Sequence, residues 1–189
     1  MKINLWIAFC IFIIGGSTLG SELAYLRSKP FAQRQEKALS FIAECDTIIE
    51  IGGAGTPIDT FMKSGQKTII VIDPEIKEKK EKNVEHVRKK FEEWQQPDFI
   101  TANTYAVLIF GLALNKMPDN AWNKLYELIN NSYKTVIEYS STYKPAKSQI
   151  KAIKKNISKE CTHEELDVSC VKLQRYKEVH PLRTICFFK

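Results

Sequence analysis

Two carboxylates lie in apolar runs that otherwise have the composition of buried strands. Glu50 lies inside the run 47–51 (TIIEI), and Asp73 ends the run 68–73 (TIIVID). The segment between the runs opens with a glycine cluster, Gly52, Gly53 and Gly55. A glycine turn lets the backbone approach a ligand closely, and the amide groups of a following helix point at the same place. With a carboxylate at the end of the next strand to accept both hydroxyls of a ribose, the pattern predicts a site for a nucleoside-containing ligand.

The two acids have different expected roles. Asp73 follows Gly55 by 18 residues and is the expected ribose ligand, since hydrogen bonds to a charged group contribute about 1.5–3 kcal/mol each. Glu50 is expected either to orient the glycine turn or to meet a cationic group of the ligand. The alternative interpretation is purely structural: the glycine turn belongs to an ordinary α/β protein, and Asp73 only ends a strand.

The elements that must position this site alternate along the chain. Strands are predicted over 47–51, 68–73, the first part of 98–114, 135–139, 166–173 and 183–188. Helices are predicted over 21–43 with a break at Lys29-Pro30, 56–64, 120–131 and 146–157, and residues 83–94 fit either a helix or a short strand followed by a turn. This alternation predicts an α/β fold with a mostly parallel sheet and a C-terminal antiparallel hairpin. Ligands of such sheets bind beyond the carboxyl ends of the strands.

The whole composition fits one domain. The 189 residues are 44% hydrophobic and 26% charged, which suffices for one packed core but not for two. The net charge of +6 permits contact with acidic partners. Its excess lies in stretches such as 77–82 and 147–155, which we interpret as solvated helical faces, so nucleic acid is not an expected partner.

The cysteines indicate neither a metal site nor a nucleophile. Their positions are Cys10, Cys45, Cys161, Cys170 and Cys186. No pair has the spacing of a zinc site, so buried reduced thiols are expected. A bridge between the third and fourth is an alternative if the domain faces an oxidising compartment.

The N-terminus is a separate unit. Residues 3–20 carry no charge, and their apolar centre, 5–14, is short for a membrane span of about 20 residues. The segment fits a cleavable signal peptide, a short membrane anchor or, less well, a packing helix. We therefore predict a hydrophobic signal or anchor over 1–20 and one domain over 21–189. If the segment is uncut, the basic residues that follow it favour a cytoplasmic domain.

At the glycine turn the sequence resembles the class I S-adenosylmethionine-dependent methyltransferases. IIEIGGAGT matches the acid and the first glycine of the family's first motif, although Ala54 stands where a second glycine is expected and Gly55 is displaced from the third. Asp73 in VIDP matches the acid that binds the ribose. The dinucleotide-binding oxidoreductases share this logic, but their turn is GxGxxG, which GGAGTP does not provide.

The resemblance implies a Rossmann-like fold with S-adenosylmethionine as cofactor. The residues it implies for the cofactor are Glu50, Gly52, Gly53, Gly55, Asp73, Glu92 and Asn103. Glu92 is a candidate for the adenine contact after the third strand, beside Phe91 and Glu93. Asn103 is a candidate near the methyl donor at the fourth strand, with Thr101, Ala102 and Tyr105. The region 25–34 is a candidate to cover the cofactor.

The methyl acceptor is not legible. The Asn-Pro-Pro-Tyr motif of amino-directed DNA methyltransferases is replaced by TANTY, and no cysteine follows a proline. No catalytic residue is predicted; Tyr105, Tyr139, Asn103 and His180 are only candidates, and packing is the preferred role of Tyr139. We expect a methyltransferase acting on protein, lipid or a small molecule. The alternatives are a nucleoside-binding or interaction module without catalysis and a dinucleotide-dependent reductase.

Location follows from the cofactor. Because S-adenosylmethionine is intracellular, we expect a cytoplasmic domain that is membrane-associated through residues 3–20. A secreted or periplasmic domain, after signal cleavage, is the alternative.

Overall fold

A mixed β-sheet forms the centre of the computed structural model, which describes residues 29–53, 57–62, 67–110, 113–114, 117–140, 144–167 and 182–189. Its strands are β1 (Thr47–Ile51), β2 (Thr68–Ile72), β3 (Lys79–Glu81), β4 (Val84–Val87), β5 (Tyr105–Ile109), β6 (Lys134–Ser140), β7 (Cys161–Asp167) and β8 (Leu182–Phe188). Their order across the sheet is β3-β4-β2-β1-β5-β6-β8-β7.

Five neighbouring strands, from β4 to β6, are parallel. In β1 and β2 every residue after the first is buried, and β5 is buried throughout. Such strands are apolar on both sides because helices cover both faces of a parallel sheet. The two edges are antiparallel: β3 pairs with β4, and β8 lies between β6 and β7.

Helices build a separate core on each face. Helix α1 (Lys29–Phe41) covers one face, where Ala38 packs with residues of the central strands such as Ile48 and Leu108. Helices α2 (Trp122–Asn131) and α3 (Lys144–Asn156) cover the other face, where Leu125 and Ile153 belong to the larger core. Short 3-10 turns occur at Ile58–Phe61, Phe91–Glu93 and Asp119–Ala121.

The predicted α/β sheet with a C-terminal antiparallel hairpin is confirmed. Strand β1 has the predicted bounds, and β2, β6, α2 and α3 lie within two residues of theirs, which is the usual uncertainty of such bounds. Residues 83–94 form the short strand β4 followed by a turn. The described part of helix α1 runs over Lys29–Phe41 and includes Pro30.

Four predicted elements were wrong in their type or their bounds. The helix predicted over 56–64 is a 3-10 turn over Ile58–Phe61 in its described part. The helical face predicted over 77–82 contains the edge strand β3 instead. Strand β5 begins at Tyr105, not at 98. The hairpin begins with Cys161–Asp167 rather than at 166, and residues 168–181, with Cys170 and His180, lie outside the described residues.

The predicted signal or anchor over 1–20 lies outside the described residues, as does Cys10. Within the part that is described, no helix has the length and apolar character needed to span a bilayer. Cys45 and Cys186 are buried free thiols, as expected, and the half-buried Cys161 is also free. The described residues contain no cluster of three side chains able to hold a metal ion.

Candidate functional site

The glycine turn and Asp73 lie side by side at the carboxyl edge of the sheet. The Gly52 amide donates a hydrogen bond of 2.9 Å to the Ile72 carbonyl. The Asp73 amide in turn donates one of 3.1 Å to the Val87 carbonyl. The carboxyl ends of β1, β2 and β4 therefore lie at the same edge of the sheet. The glycine turn and Asp73 share this edge, as the sequence predicted.

The turn has no room for side chains at its first two positions. Gly52 has a φ of +83°, and a Cβ added there would lie 2.5 Å from the Ala113 Cβ. A Cβ on Gly53 would lie 2.7 Å from the Val71 Cγ1 and 2.9 Å from the Glu50 Cδ. Only glycine fits such distances and the positive φ. Gly55 lies outside the described residues.

Glu50 stabilises the segment that follows the glycine turn. Its side chain is buried, and its carboxylate accepts a hydrogen bond of 2.7 Å from the Ile58 amide. Burial raises the pKa of Glu50 to about 7, against the opposing effects of that amide and of the Arg34 charge. Of the two roles left open by the sequence, this geometry favours orienting the turn, because a fully buried carboxylate does not face a ligand.

A second buried acid, which the sequence analysis missed, fixes the same segment. Asp59, in the 3-10 turn that begins at Ile58, lies 3.0 Å from the His86 Nε2 through one oxygen and 3.4 Å from the Lys79 Nζ through the other. The side chains of Asp59 and His86 are nearly inaccessible to solvent. These contacts join the segment after the glycine turn to the edge strand β3 and to its neighbour β4.

The Asp73 carboxylate is held in a fixed orientation. Its Oδ1 accepts a hydrogen bond of 2.7 Å from the Glu75 amide, the geometry of an Asx turn. The residue is only half-buried, so it faces both the protein and the space beyond the strand ends. A half-buried carboxylate beside a turn without side chains offers oxygens able to accept hydrogen bonds from the two hydroxyls of a ribose.

Glu92 lies in the connection that leads from β4 to β5. Lys124 of α2 donates hydrogen bonds to the carbonyls of Phe91 (2.9 Å), Glu92 (3.3 Å) and Trp94. Burial lowers the pKa of Lys124. The backbone of Glu92 is thus tied to α2, and its side chain is half-buried.

Asn103 is not brought together with the other candidates. It precedes β5, at the amino edge of the sheet, where its amide donates to the Asn131 carbonyl at 2.7 Å. Its φ is 61° and it is exposed. Thr101 and Ala102 precede it, and Tyr105 is buried with its hydroxyl bonded to the Leu128 carbonyl. The late start of β5 therefore moves this whole group to the edge opposite Gly52.

A buried ion pair lies on the α1 face near the carboxyl edge. Arg34 of α1 is paired with Glu138 of β6, and both side chains are buried. The guanidinium also lies 4.3 Å from the centre of the Phe110 ring, just after β5. The signal in the sequence was a carboxylate inside an apolar strand, as for Glu50. Tyr139, the next residue, packs against the core on the opposite face, as predicted, and Tyr143 lies outside the described residues.

No protein-family model matches the chain, and no curated protein matches its sequence. Solved structures do match its fold. The N-methyltransferase NodS from Bradyrhizobium japonicum, in complex with S-adenosylhomocysteine, matches with a TM-score of 0.59 at 9% identity, covering 87% of this chain and 89% of that one. A second match is the 1,6-didemethyltoxoflavin-N1-methyltransferase from Burkholderia thailandensis, with 1,6-didemethyltoxoflavin and S-adenosylhomocysteine bound. Its TM-score is 0.59 at 7% identity, covering 100% of this chain and 90% of that one.

A chain of the Pnkp1/Rnl/Hen1 RNA repair complex matches with a TM-score of 0.57 at 12% identity, covering 86% of this chain and 42% of that one. This chain has the fold of the class I methyltransferases. At such identities the likeness concerns the methyltransferase fold alone, and the residues that follow are argued from their positions in this chain.

Proposed function

We propose that the chain is an S-adenosylmethionine-dependent methyltransferase whose cofactor lies at the carboxyl edge of β1 and β2. One observation carries the proposal: the glycine turn at Gly52 adjoins Asp73 at the ligand-binding edge of a methyltransferase fold. The two structural neighbours with bound S-adenosylhomocysteine support the same cofactor class. Neither the turn nor the acid would carry the proposal alone.

The residues present fit a nucleoside. Gly52 and Gly53 leave the backbone at the strand end without side chains, in a turn that packs tightly against Ala113 and Val71. Asp73, with its carboxylate fixed by the Glu75 amide, would accept the ribose hydroxyls. Gly55 and Glu92 stay in the proposed site as predictions from the resemblance, Glu50 acts through the turn, and Asn103 is left out because of its place at the other edge.

The bound cofactor would supply a methyl group already activated on a sulfonium. The chain's own part is then mainly positioning, because aligning two reactants contributes much of the rate in such transfers. Asp73 and the glycine turn hold the nucleoside, while Glu50 and Asp59 keep the turn and the next segment in place. A general base is needed only for an acceptor that is protonated at working pH, and we assign none.

A transfer assay tests the proposal. Purified full-length chain is incubated with S-adenosylmethionine labelled on its methyl group and with separated lipid, protein, RNA and small-molecule fractions of cells. We expect label in one fraction, reduced by Asp73→Asn and unchanged by Asp98→Asn, an exposed acid before β5. Label in no fraction, together with tight binding of S-adenosylmethionine, would instead favour the alternative of a binding module without catalysis.

The acceptor class is the open part of the proposal. The neighbours include a small-molecule N-methyltransferase and a chain of an RNA repair complex, so the RNA fraction belongs in the assay although the sequence did not favour nucleic acid. The predicted anchor at 3–20 adds lipids and membrane proteins.

We propose that the domain is cytoplasmic and attached to a membrane through residues 3–20, because its cofactor is made and used inside cells. Fractionation with protease protection tests this. We expect the uncut chain in the membrane fraction with its domain on the cytoplasmic side. A processed domain outside the cytoplasm would contradict the proposal.

A further inference from the structure

Helix α3 carries a row of basic side chains without any acid. Lys147, Lys151, Lys154 and Lys155 are all exposed. At 100° per residue these four positions lie within about one quarter of the helix circumference. An adjoining side of α3 packs on the core through Ile150 and Ile153. We call the four lysines the α3 ridge.

The ridge differs from the other basic regions of the chain. Lys37, Lys79 and Lys134 all have carboxylate partners. The exposed lysines around β3 and β4 alternate with acids; they are Lys77, Lys80, Lys82 and Lys89, among Glu75, Glu78, Glu81 and Glu85. Helix α3 contains no aspartate or glutamate, and none of the ridge lysines has an ion pair with a described carboxylate.

Helix stability explains only part of the ridge. Lys154 and Lys155 lie in the last turn, where cations interact favourably with the helix dipole. Lys147 and Lys151 lie earlier and gain nothing from that end. Because like charges on one face repel each other, the row slightly destabilises the isolated helix, and an anionic partner would relieve that repulsion.

We propose that the α3 ridge binds an anionic lipid surface. Its lysines are exposed along one side of a single helix, which suits a flat layer of headgroups. Over residues 146–156 of α3, where side-chain exposure is described, no aromatic residue is present and the exposed residues other than lysine are Ser148 and Asn156. Proteins that bind single-stranded nucleic acid normally combine basic residues with aromatic stacking platforms in a groove, so the ridge fits lipid better than RNA.

The chain also supplies a reason for a bilayer to be near. A short apolar segment is a weak anchor alone, and stable attachment usually takes a second signal such as a basic patch. The predicted anchor at 3–20 is such a short segment. The inference does not depend on methyl transfer.

Vesicle flotation of the full-length chain tests the ridge. We compare vesicles of phosphatidylcholine alone with vesicles in which part of it is replaced by phosphatidylserine. The ridge variant is K147Q/K151Q/K154Q/K155Q, and the matched control K77Q/K80Q/K82Q/K89Q removes the same charge elsewhere. Each lysine near an anionic surface should contribute about fivefold in affinity. A second variant, K147Q/K151Q, spares the helix end and should lose about 25-fold.

We expect phosphatidylserine to strengthen vesicle binding of the wild type and of the control variant. This gain in affinity should be small at high salt, and it should be largely lost in both ridge variants. Circular dichroism checks that each variant is folded. Equal losses in ridge variant and control would reduce the effect to net charge and overturn the proposal. So would binding that ignores phosphatidylserine. Loss of binding to an RNA duplex, with vesicle binding retained, would assign the ridge to nucleic acid instead.

Discussion

The Gly52 amide donates a 2.9 Å hydrogen bond to the Ile72 carbonyl. This bond places the end of β1 beside Asp73, the residue that follows Ile72. The two strands pair in register from Thr47 and Thr68 onwards, so the contact follows from strand pairing and needs no ligand. The central feature of the proposed site is thus part of the folded sheet.

Gly53→Ala should destabilise the protein by about 1–3 kcal/mol, the usual cost of overpacking. The added Cβ would lie 2.7 Å from the Val71 Cγ1. Urea unfolding measures the change. The double variant with Val71→Ala should lose less than the sum of the two single variants, because it removes one clash partner while Glu50 remains close. Simple additivity would show that the two positions do not compete for space.

Glu50→Gln should change how stability depends on pH. The pKa of Glu50 is about 7 in the folded protein and ordinarily 4.5, so the fold favours its protonated form. The stability linked to this group is complete below pH 4.5 and lost as the pH rises through about 7. Glutamine stays neutral and retains an acceptor for the Ile58 amide.

The free energy of unfolding of Glu50→Gln, relative to wild type, should therefore rise by about 3 kcal/mol from acidic to slightly alkaline pH. Urea unfolding without ligand at a series of pH values provides the measurement. Parallel profiles for the two proteins would mean that Glu50 titrates normally.

Arg34→Met should destabilise the protein by about 3–5 kcal/mol, because it removes the cationic member of a buried ion pair with Glu138. The double variant Arg34→Met with Glu138→Leu should recover most of that loss, since an apolar pair can replace a buried ion pair. A double-mutant cycle by urea unfolding gives the coupling. If the double variant were as unstable as the less stable single variant, Arg34 would stabilise the protein through another contact, for example the one with Phe110.

Asp59→Ala should cost about 1–3 kcal/mol, because it leaves the nearly buried His86 without its hydrogen-bond partner. It should also weaken ligand binding, since it releases the segment after the glycine turn. Lys79→Gln is the control: its ion pair with Asp59 is long and partly exposed, so its loss should cost less than about 1 kcal/mol. Urea unfolding measures both losses of stability. Equal losses for Asp59→Ala and Lys79→Gln would mean that the contact of Asp59 with His86 is not the more important one.

Much of the sheet could be predicted because its central strands are buried on both faces. Continuous apolar runs predicted β1 and β2, with Glu50 inside the first strand and Asp73 at the end of the second. Strand β3 could not be predicted, because a short charged edge strand gains its stability from one antiparallel partner and has no apolar pattern of its own. The contact between Asp59 and His86 joins residues far apart in the sequence and leaves no local signal.

The misplacement of Asn103 has a local cause. Residues 98–104 contain Phe99, Ile100 and two threonines, which favour strands. The chain instead turns there, with Asn103 at a φ of 61°. Asparagine is one of the few residues that tolerate this conformation, so the asparagine itself was the signal that the strand starts later.

Isothermal titration of the full-length chain with S-adenosylmethionine tests the central claim most directly. S-adenosylhomocysteine and a nicotinamide dinucleotide serve as comparison ligands, and Asp98→Asn serves as the matched control for Asp73→Asn. We predict that the two S-adenosyl compounds bind and the dinucleotide does not. With about 1.5–3 kcal/mol for each hydrogen bond to the carboxylate, Asp73→Asn should weaken binding on the order of tenfold to a hundredfold or more. Failure of both S-adenosyl compounds to bind, or equal affinity of wild type and Asp73→Asn, would contradict the account.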